Sequence, residues 1–153
     1  MTEREDLVGR LQVLSEQEAT QTALFQQLAA ARYGLGVTDM KALSILLREG
    51  PQTAGGLMAR LHVTSGAVTG VVDRLAAAGV ARREVDSADR RRVLVSVVPE
   101  GFHGRDDVYA GIGAAFQRLY EGYTLEELRF LARHLERAIE ITTQQTSYVA
   151  ARR

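Results

Sequence analysis

Between Gln52 and Gly101 the chain changes its hydrophobic period within one short stretch, and no other part narrows the possible folds so far. Ala54, Leu57, Met58 and Leu61 stand at i, i+3, i+4 and i+7 behind Thr53, which suits a helix cap. His62 and Val63 then lead to a second helical stretch, capped by Thr64 or by the competing Ser65 and running to about Ala78 before Gly79. Its inward stripe is Ala67, Val68, Val71, Val72 and Leu75. The period then drops to that of strands, expected over Val80–Val85 and Val93–Val98. Asp86 to Arg92, reading DSADRRR, joins them, and its Asp, Ser and Asp suit a turn.

The residues left outside the stripe suggest a partner. Ser65, Gly66, Thr69, Gly70, Asp73 and Arg74 give the second helix an outer face that is small and polar near its start. Such a face can come close to base edges in a major groove, and first-turn amides beside Thr64 suit a phosphate. Each glycine costs a helix about 1 kcal/mol against alanine. Close approach of a partner explains two of them on one face more easily than folding does. The competing reading is an ordinary amphipathic surface helix of weak formers. At the hairpin tip, Arg90, Arg91 and Arg92 suit a phosphate-lined groove, and narrow minor grooves attract arginine. Asp89 can hold one of them by a charge-assisted hydrogen bond. The competing reading there is a solvated charged turn. A helix offered to a groove and followed by a basic hairpin is what a winged helix-turn-helix requires to read DNA.

From Leu61 to Gly101 the sequence LHVTSGAVTGVVDRLAAAGVARREVDSADRRRVLVSVVPEG resembles the MarR (multiple antibiotic resistance regulator) family of bacterial transcription factors. Helix, VDRL, glycine, strand, D-x-x-D-R-R wing and post-wing glycine come in the family's order, and Val37 to Leu43 resembles its LTxxD-like helix entry. Weaker likeness covers nearly the whole chain. The resemblance implies an obligate homodimer on a pseudo-palindromic operator in double-stranded DNA, with the recognition helix in the major groove and a wing arginine in the adjacent minor groove. It puts Ser65, Gly66, Thr69 and Gly70 at base-facing positions, with Thr64 at the start of the same helix. It makes Arg74 a backbone contact or a buttress. Asp89 and Arg91 match the wing's D-x-R pair, so Arg91 is the expected minor-groove finger, with Arg90 and Arg92 on phosphates. The family often has longer side chains where this chain has Gly66 or Gly70, a departure that shifts weight to the wing and to DNA shape.

Composition is consistent once it is partitioned. The 153 residues suggest one compact domain or two small lobes sharing a core. The chain has no net charge, yet residues 60–92 hold seven arginines against four acids, a local +3, while 1–59 carry −2 and 93–153 carry −1. DNA binding needs that local field rather than a basic average. With no cysteine, disulfides, thiolate metal sites and cysteine-based peroxide sensing are excluded. His62, His103 and His134 have no ligand spacing, so neither metal nor cofactor is expected. No signal peptide or membrane-length apolar run is present, which makes the cytoplasm the default. No GxGxxG, GxSxG, P-loop or HExxH motif supports an enzyme, and Asp106-Asp107 and Glu126-Glu127 read as solvation or caps.

The flanks are helical. The expected division is a dimerisation helix in 1–36, a winged helix-turn-helix lobe in 37–100 and dimerisation helices in 101–153, mainly α with a small β-wing. The first helix runs from about Thr2 to Tyr33 with Leu7, Leu11, Leu14, Leu24, Phe25 and Leu28 as its stripe. Thr38 or Asp39 caps a helix from Met40 to Arg48. After the wing, a helical region begins at Pro99 to Gly101 and reaches about Gly122, interrupted by Gly104, Gly111 and Gly113. Thr124 to Glu127 form a capping box for a last helix with Leu128, Leu135 and Ile139 on its apolar face, and Ala150 to Arg153 are expected to fray. Such stripes outstrip what so small a lobe can bury, so two chains are expected to interlock; the alternative is an intramolecular three-helix pack. The resemblance also implies a pocket for a small aromatic or amphipathic effector, whose lining here could include Phe25, Tyr33, Met40, Phe102, Tyr109 and Phe116, although each taken alone reads first as a core residue. Two further readings remain: a winged helix for protein–protein contact, against which the three wing arginines argue, and an architectural DNA binder without effector control.

Overall fold

In the computed structural model, residues 2–152 are described. Helix α1 (Glu3–Arg32) opens on a capping box: the Thr2 hydroxyl accepts from the Glu5 amide, and the Thr2 amide donates to Glu5 Oε2 at 2.6 Å. Two of its residues, Ala29 and Ala30, are buried, and the leucines Leu7, Leu11, Leu14, Leu24 and Leu28 all lie exposed. Helix α2 (Val37–Glu49) starts earlier than expected. Gly36 is its cap, and Asp39, three positions in, reaches back to accept the Gly36 amide at 2.8 Å. Neither Thr38 nor Asp39 is therefore the cap residue, although Asp39 still satisfies one of the end donors.

Helices α3 (Ala54–Leu61) and α4 (Ser65–Ala77) follow the sequence pattern closely, with Thr53 and Thr64 as caps. His62 makes the tight connection in a left-handed conformation, φ 53°. The wing strands are β2 (Ala81–Val85) and β3 (Val93–Val97), paired antiparallel from Ala81 opposite Val97 to Val85 opposite Val93. A two-residue strand β1 (Gln52–Thr53) adds to the other side of β3, a pairing too short to leave a period in the sequence. The core gathers Leu43 and Leu46 of α2, Leu57 of α3, Val71, Val72 and Leu75 of α4, and Val95 of β3. Ala67, placed in the inward stripe, is exposed: it precedes Val68 at the start of α4, beside the stripe rather than in it.

The region after the wing is not one helix. A 3-10 turn spans Pro99–Phe102, Gly104 turns the chain at φ 74°, and α5 (Ala110–Glu121) begins only after Asp107 Oδ1 has accepted the Tyr109 and Ala110 amides at 3.1 Å each. Gly111 and Gly113 stay within α5. Gly101 is fixed by crowding, since a Cβ there would lie 2.0 Å from the Gly79 carbonyl oxygen. Helix α6 (Leu125–Ala150) has the expected capping box, and bonds from the Thr124 amide and hydroxyl hold the Glu127 carboxyl below its usual pKa range. Ala150 is still helical, so fraying there is not seen; Arg153 is outside the described residues, as is Met1 of the expected 1–36 segment.

By its contacts the chain divides into two compact units, one up to Asp106 and one from Asp107. The first takes in α1 as well as the winged lobe, because α1 packs on α2. Neither α5 nor α6 of the second contains a buried residue.

Candidate nucleic-acid interface

The start of α4 is built as a donor site. Thr64 Oγ1 accepts the Ala67 amide at 3.2 Å, and the Thr64 carbonyl takes the Val68 amide at 3.0 Å. The Ser65 and Gly66 amides lie ahead of the helix's own ladder, where an anion is favoured. Ser65, Gly66 and Thr69 are exposed, and Gly70 is half-buried. The Thr69 hydroxyl donates to the Ser65 carbonyl at 2.9 Å, so its proton is used within the helix; acceptor capacity and a methyl group remain.

The two glycines differ. A Cβ on Gly66 would meet nothing within 4 Å, so the site is open space. A Cβ on Gly70 would lie 3.1 Å from Arg74 Nη1. Gly70 thus makes room for the guanidinium one turn on, an internal reason that differs from close approach of a partner.

Arg74 grips Asp39 of α2. Its Nε donates to Asp39 Oδ2 at 2.9 Å and Oδ1 at 3.1 Å, and its Nη2 donates to Oδ1 at 2.8 Å. The Asp39 side chain is buried while that of Arg74 is 55% exposed. The bonds and charge of Asp39 raise the Arg74 pKa above its ordinary value. Asp39 was missed as part of the site. In the sequence it reads only as a cap, and nothing local ties it to a residue 35 positions away.

The wing tip is a closed turn. The Asp86 amide donates to the Arg92 carbonyl at 3.0 Å, and the Arg92 amide to the Asp89 carbonyl at 2.9 Å. Asp89 Oδ1 accepts the Arg91 amide at 3.1 Å and Arg91 Nε at 3.3 Å. The Arg91 side chain is nonetheless 92% exposed, so its stem is steered while its outer fork faces water. Arg92 leans on Asp86 at 3.6 Å, and Arg90 is exposed. At the wing's root, Arg83 of β2 donates to Asp73 of α4 at 2.7 Å.

The six positions expected to line an effector pocket fall in both units, four in the first and two in the second. Tyr33, Met40 and Phe102 pack on the lobe's core, and the Tyr33 hydroxyl donates to the Asp106 carbonyl at 3.1 Å. Phe25 is half-buried on α1. Tyr109 and Phe116 belong to the second unit, where Phe116 faces Tyr120 with ring centroids 6.0 Å apart. Of the six, Tyr33 lines a surface pocket of about 400 Å³ formed with Ala31, Arg32, Arg105 and Asp106.

Comparison with known proteins agrees with this geometry. The sequence model of the MarR family matches residues 33–92. The HTH-type transcriptional regulator YcgE of Bacillus subtilis (strain 168), itself uncharacterized, is 36% identical over 82% of this chain and 82% of its own. The regulator MhqR of the same organism is 24% identical over 69% of this chain and 73% of its own. Among solved structures, a MarR family protein from Bacillus stearothermophilus superposes with a TM-score of 0.68 at 23% identity, covering 94% of this chain and 99% of that one. CouR from Rhodococcus jostii RHA1, solved bound to p-coumaroyl-CoA, gives 0.59 at 24% identity over 82% and 89%. Among the described residues no helix is long and apolar enough to cross a membrane. The helix pair, the arginine-tipped wing and these relatives agree: the chain belongs to the MarR family of winged helix-turn-helix, DNA-binding transcriptional regulators.

Proposed function

We propose that the protein is a homodimeric repressor of a pseudo-palindromic operator, with α4 in the major groove and Arg91 in the adjacent minor groove. The observation that carries this reading is the Arg91 side chain, 92% exposed at the tip of a hairpin yet steered through its Nε by Asp89. A free fork on an ordered stem is what insertion into a narrow groove asks for. Thr64, Ser65, Gly66, Thr69 and Gly70 bring the start of α4 to the base edges, Arg90 and Arg92 reach phosphates, and Arg74 acts through its grip on Asp39. Residues 37–100 read the DNA, while 1–36 and 101–153 carry the dimer. The exposed leucines of α1 support that division, as does the absence of buried residues in α6. A small aromatic or amphipathic effector relieves repression. The complex of CouR with p-coumaroyl-CoA supports this for a protein of like fold, and the pocket beside Tyr33 is the first place to look in the first unit.

Fluorescence anisotropy on the DNA flanking the protein's own gene, with random DNA as competitor, tests the reading. Tight binding that survives competition is expected, and binding that random DNA abolishes would instead indicate an architectural role. Arg91→Ala should weaken operator binding by about 1–3 kcal/mol, while Arg90→Ala or Arg92→Ala should mainly flatten the salt dependence. An unchanged affinity would remove Arg91 from the contacts. Gly66→Ala separates folding from recognition. With open space around it, a methyl group should stabilise the helix by about 0.5–1 kcal/mol. Thermal melting should show that gain while operator affinity falls, because the same methyl stands between helix and bases. A variant that gains stability and keeps its affinity would show that α4 does not approach the DNA closely at this point.

A further inference from the structure

Asp73 is an anomaly on a DNA-reading helix. It is an exposed carboxylate on α4, two turns after Ser65, in a segment whose local charge is positive. A carboxylate near phosphates costs affinity, so its presence calls for another role. Its partner is Arg83, whose Nη2 donates to Asp73 Oδ1 at 2.7 Å. Arg83 sits on β2 opposite Val95, one alternate position from the Val85–Val93 pair that ends the ladder below the tip. The next residue on α4, Arg74, grips the buried Asp39 of α2. Adjacent residues of one helix therefore tie it in two directions, to the body of the lobe and to the wing.

The two ties differ in kind. The Arg74 grip ends on a buried carboxylate and belongs to the stability of the fold. The Asp73–Arg83 pair has side chains 60% and 43% exposed, and such a pair adds little to stability. What it does fix is geometry. Beyond Val95 the same sheet face carries Val85 and Val93, which are 60% and 50% exposed, so packing no longer holds the outer hairpin against the lobe. Among the described residues, this ion pair is the outermost hydrogen-bonded side-chain tie from α4 to the wing before that unsupported end.

We propose that Asp73 and Arg83 are positioning residues that set the wing's angle to α4, and so the offset between the major-groove and minor-groove contacts. The inference rests on the reading that helix and wing engage the operator together. Holding both readers in one frame limits the freedom lost on binding. It also lets Arg91 reach its groove only when α4 is seated.

Asp73→Asn is the informative variant, because charge alone and positioning predict opposite signs. Loss of a negative charge beside DNA should strengthen binding to any sequence. Loss of the brace should weaken operator binding by about tenfold while leaving affinity for random DNA equal or higher. Anisotropy on both DNAs, with thermal melting to confirm an unchanged fold, reads the two effects. Arg83→Lys should keep much of the operator affinity and Arg83→Ala should not. In the Arg91→Ala background, Asp73→Asn should no longer weaken operator binding and should leave it equal or stronger, since the contact it positions is gone and only the charge effect remains. If Asp73→Asn leaves operator affinity unchanged or raises it while Arg91→Ala lowers it, the brace is overturned and the wing reading stands. If Arg91→Ala itself changes nothing, the wing reading and the brace fall together.

Discussion

Replacing Asp39 by alanine is expected to lower the stability of the fold by about 2–4 kcal/mol and to take operator binding down with it. The Asp39 side chain is buried, and its two oxygens take three bonds from Arg74 and one from the Gly36 amide. Charge-assisted bonds of this kind contribute about twice as much as neutral ones. Alanine removes them all and frees the start of α2 and the outer half of α4 together. The Arg74 side chain is exposed enough to return to water, so it is not left stranded. The reverse deletion differs: Arg74→Ala leaves a buried carboxylate with only the Gly36 amide, and it should destabilise the fold as well. Chemical denaturation of both variants checks this. If Arg74→Ala melts like the parent and merely binds DNA less tightly, Arg74 is a backbone contact rather than a buttress. Gly70→Ala provides a third reading of the same cluster, since its methyl group would press on Arg74 Nη1.

What could be read from the sequence follows from how far each signal reaches. Caps act over three residues, so Thr53 and Thr124 are legible by spacing alone and Thr64 as one of two choices beside Ser65, as are the stop at Gly79 and the two wing strands. The tip arginines were visible because charge on a turn has no folding reason. Asp39 reads in the sequence only as a residue of the helix start, because its second role depends on a residue brought near only by the packing of α2 on α4. Gly70 has a second reason that the sequence does not show, from the same cause: the atom that fills its space belongs to Arg74 in a rotamer that Asp39 selects. Strand β1 exists only because β3 offers an edge, and Gly101 is required by a carbonyl twenty-two positions earlier. The helical region expected from Pro99 breaks at Gly104, as its glycine indicates, but not at Gly111 or Gly113, which stay within α5. Gly104 adopts a left-handed turn and the Asp107 side chain takes the amides that helix continuation would have used.

Charges placed on the apolar face of α6 should have the largest effect on function while leaving the first unit folded. Leu135 and Ile139 are one turn apart and 53% and 65% exposed, so Leu135→Glu with Ile139→Glu removes no buried contact within the chain and keeps good helix formers in place. In a dimer, each residue would instead bury an aliphatic side chain that stabilises by about 1.5–3 kcal/mol, in both copies. The double variant should run as a monomer in light scattering at micromolar concentration, where the parent is expected to run as a dimer. Operator affinity should then fall by about 10²- to 10⁴-fold, because two linked half-site contacts become one and the gain in effective concentration is lost. Affinity for an isolated half-site should change little, since α4 and the wing are untouched. That contrast separates loss of the dimer from loss of the fold, which would abolish both. A parent protein that is already monomeric at these concentrations would refute the dimer, and the pseudo-palindrome with half-sites about one helical turn apart would lose its physical basis.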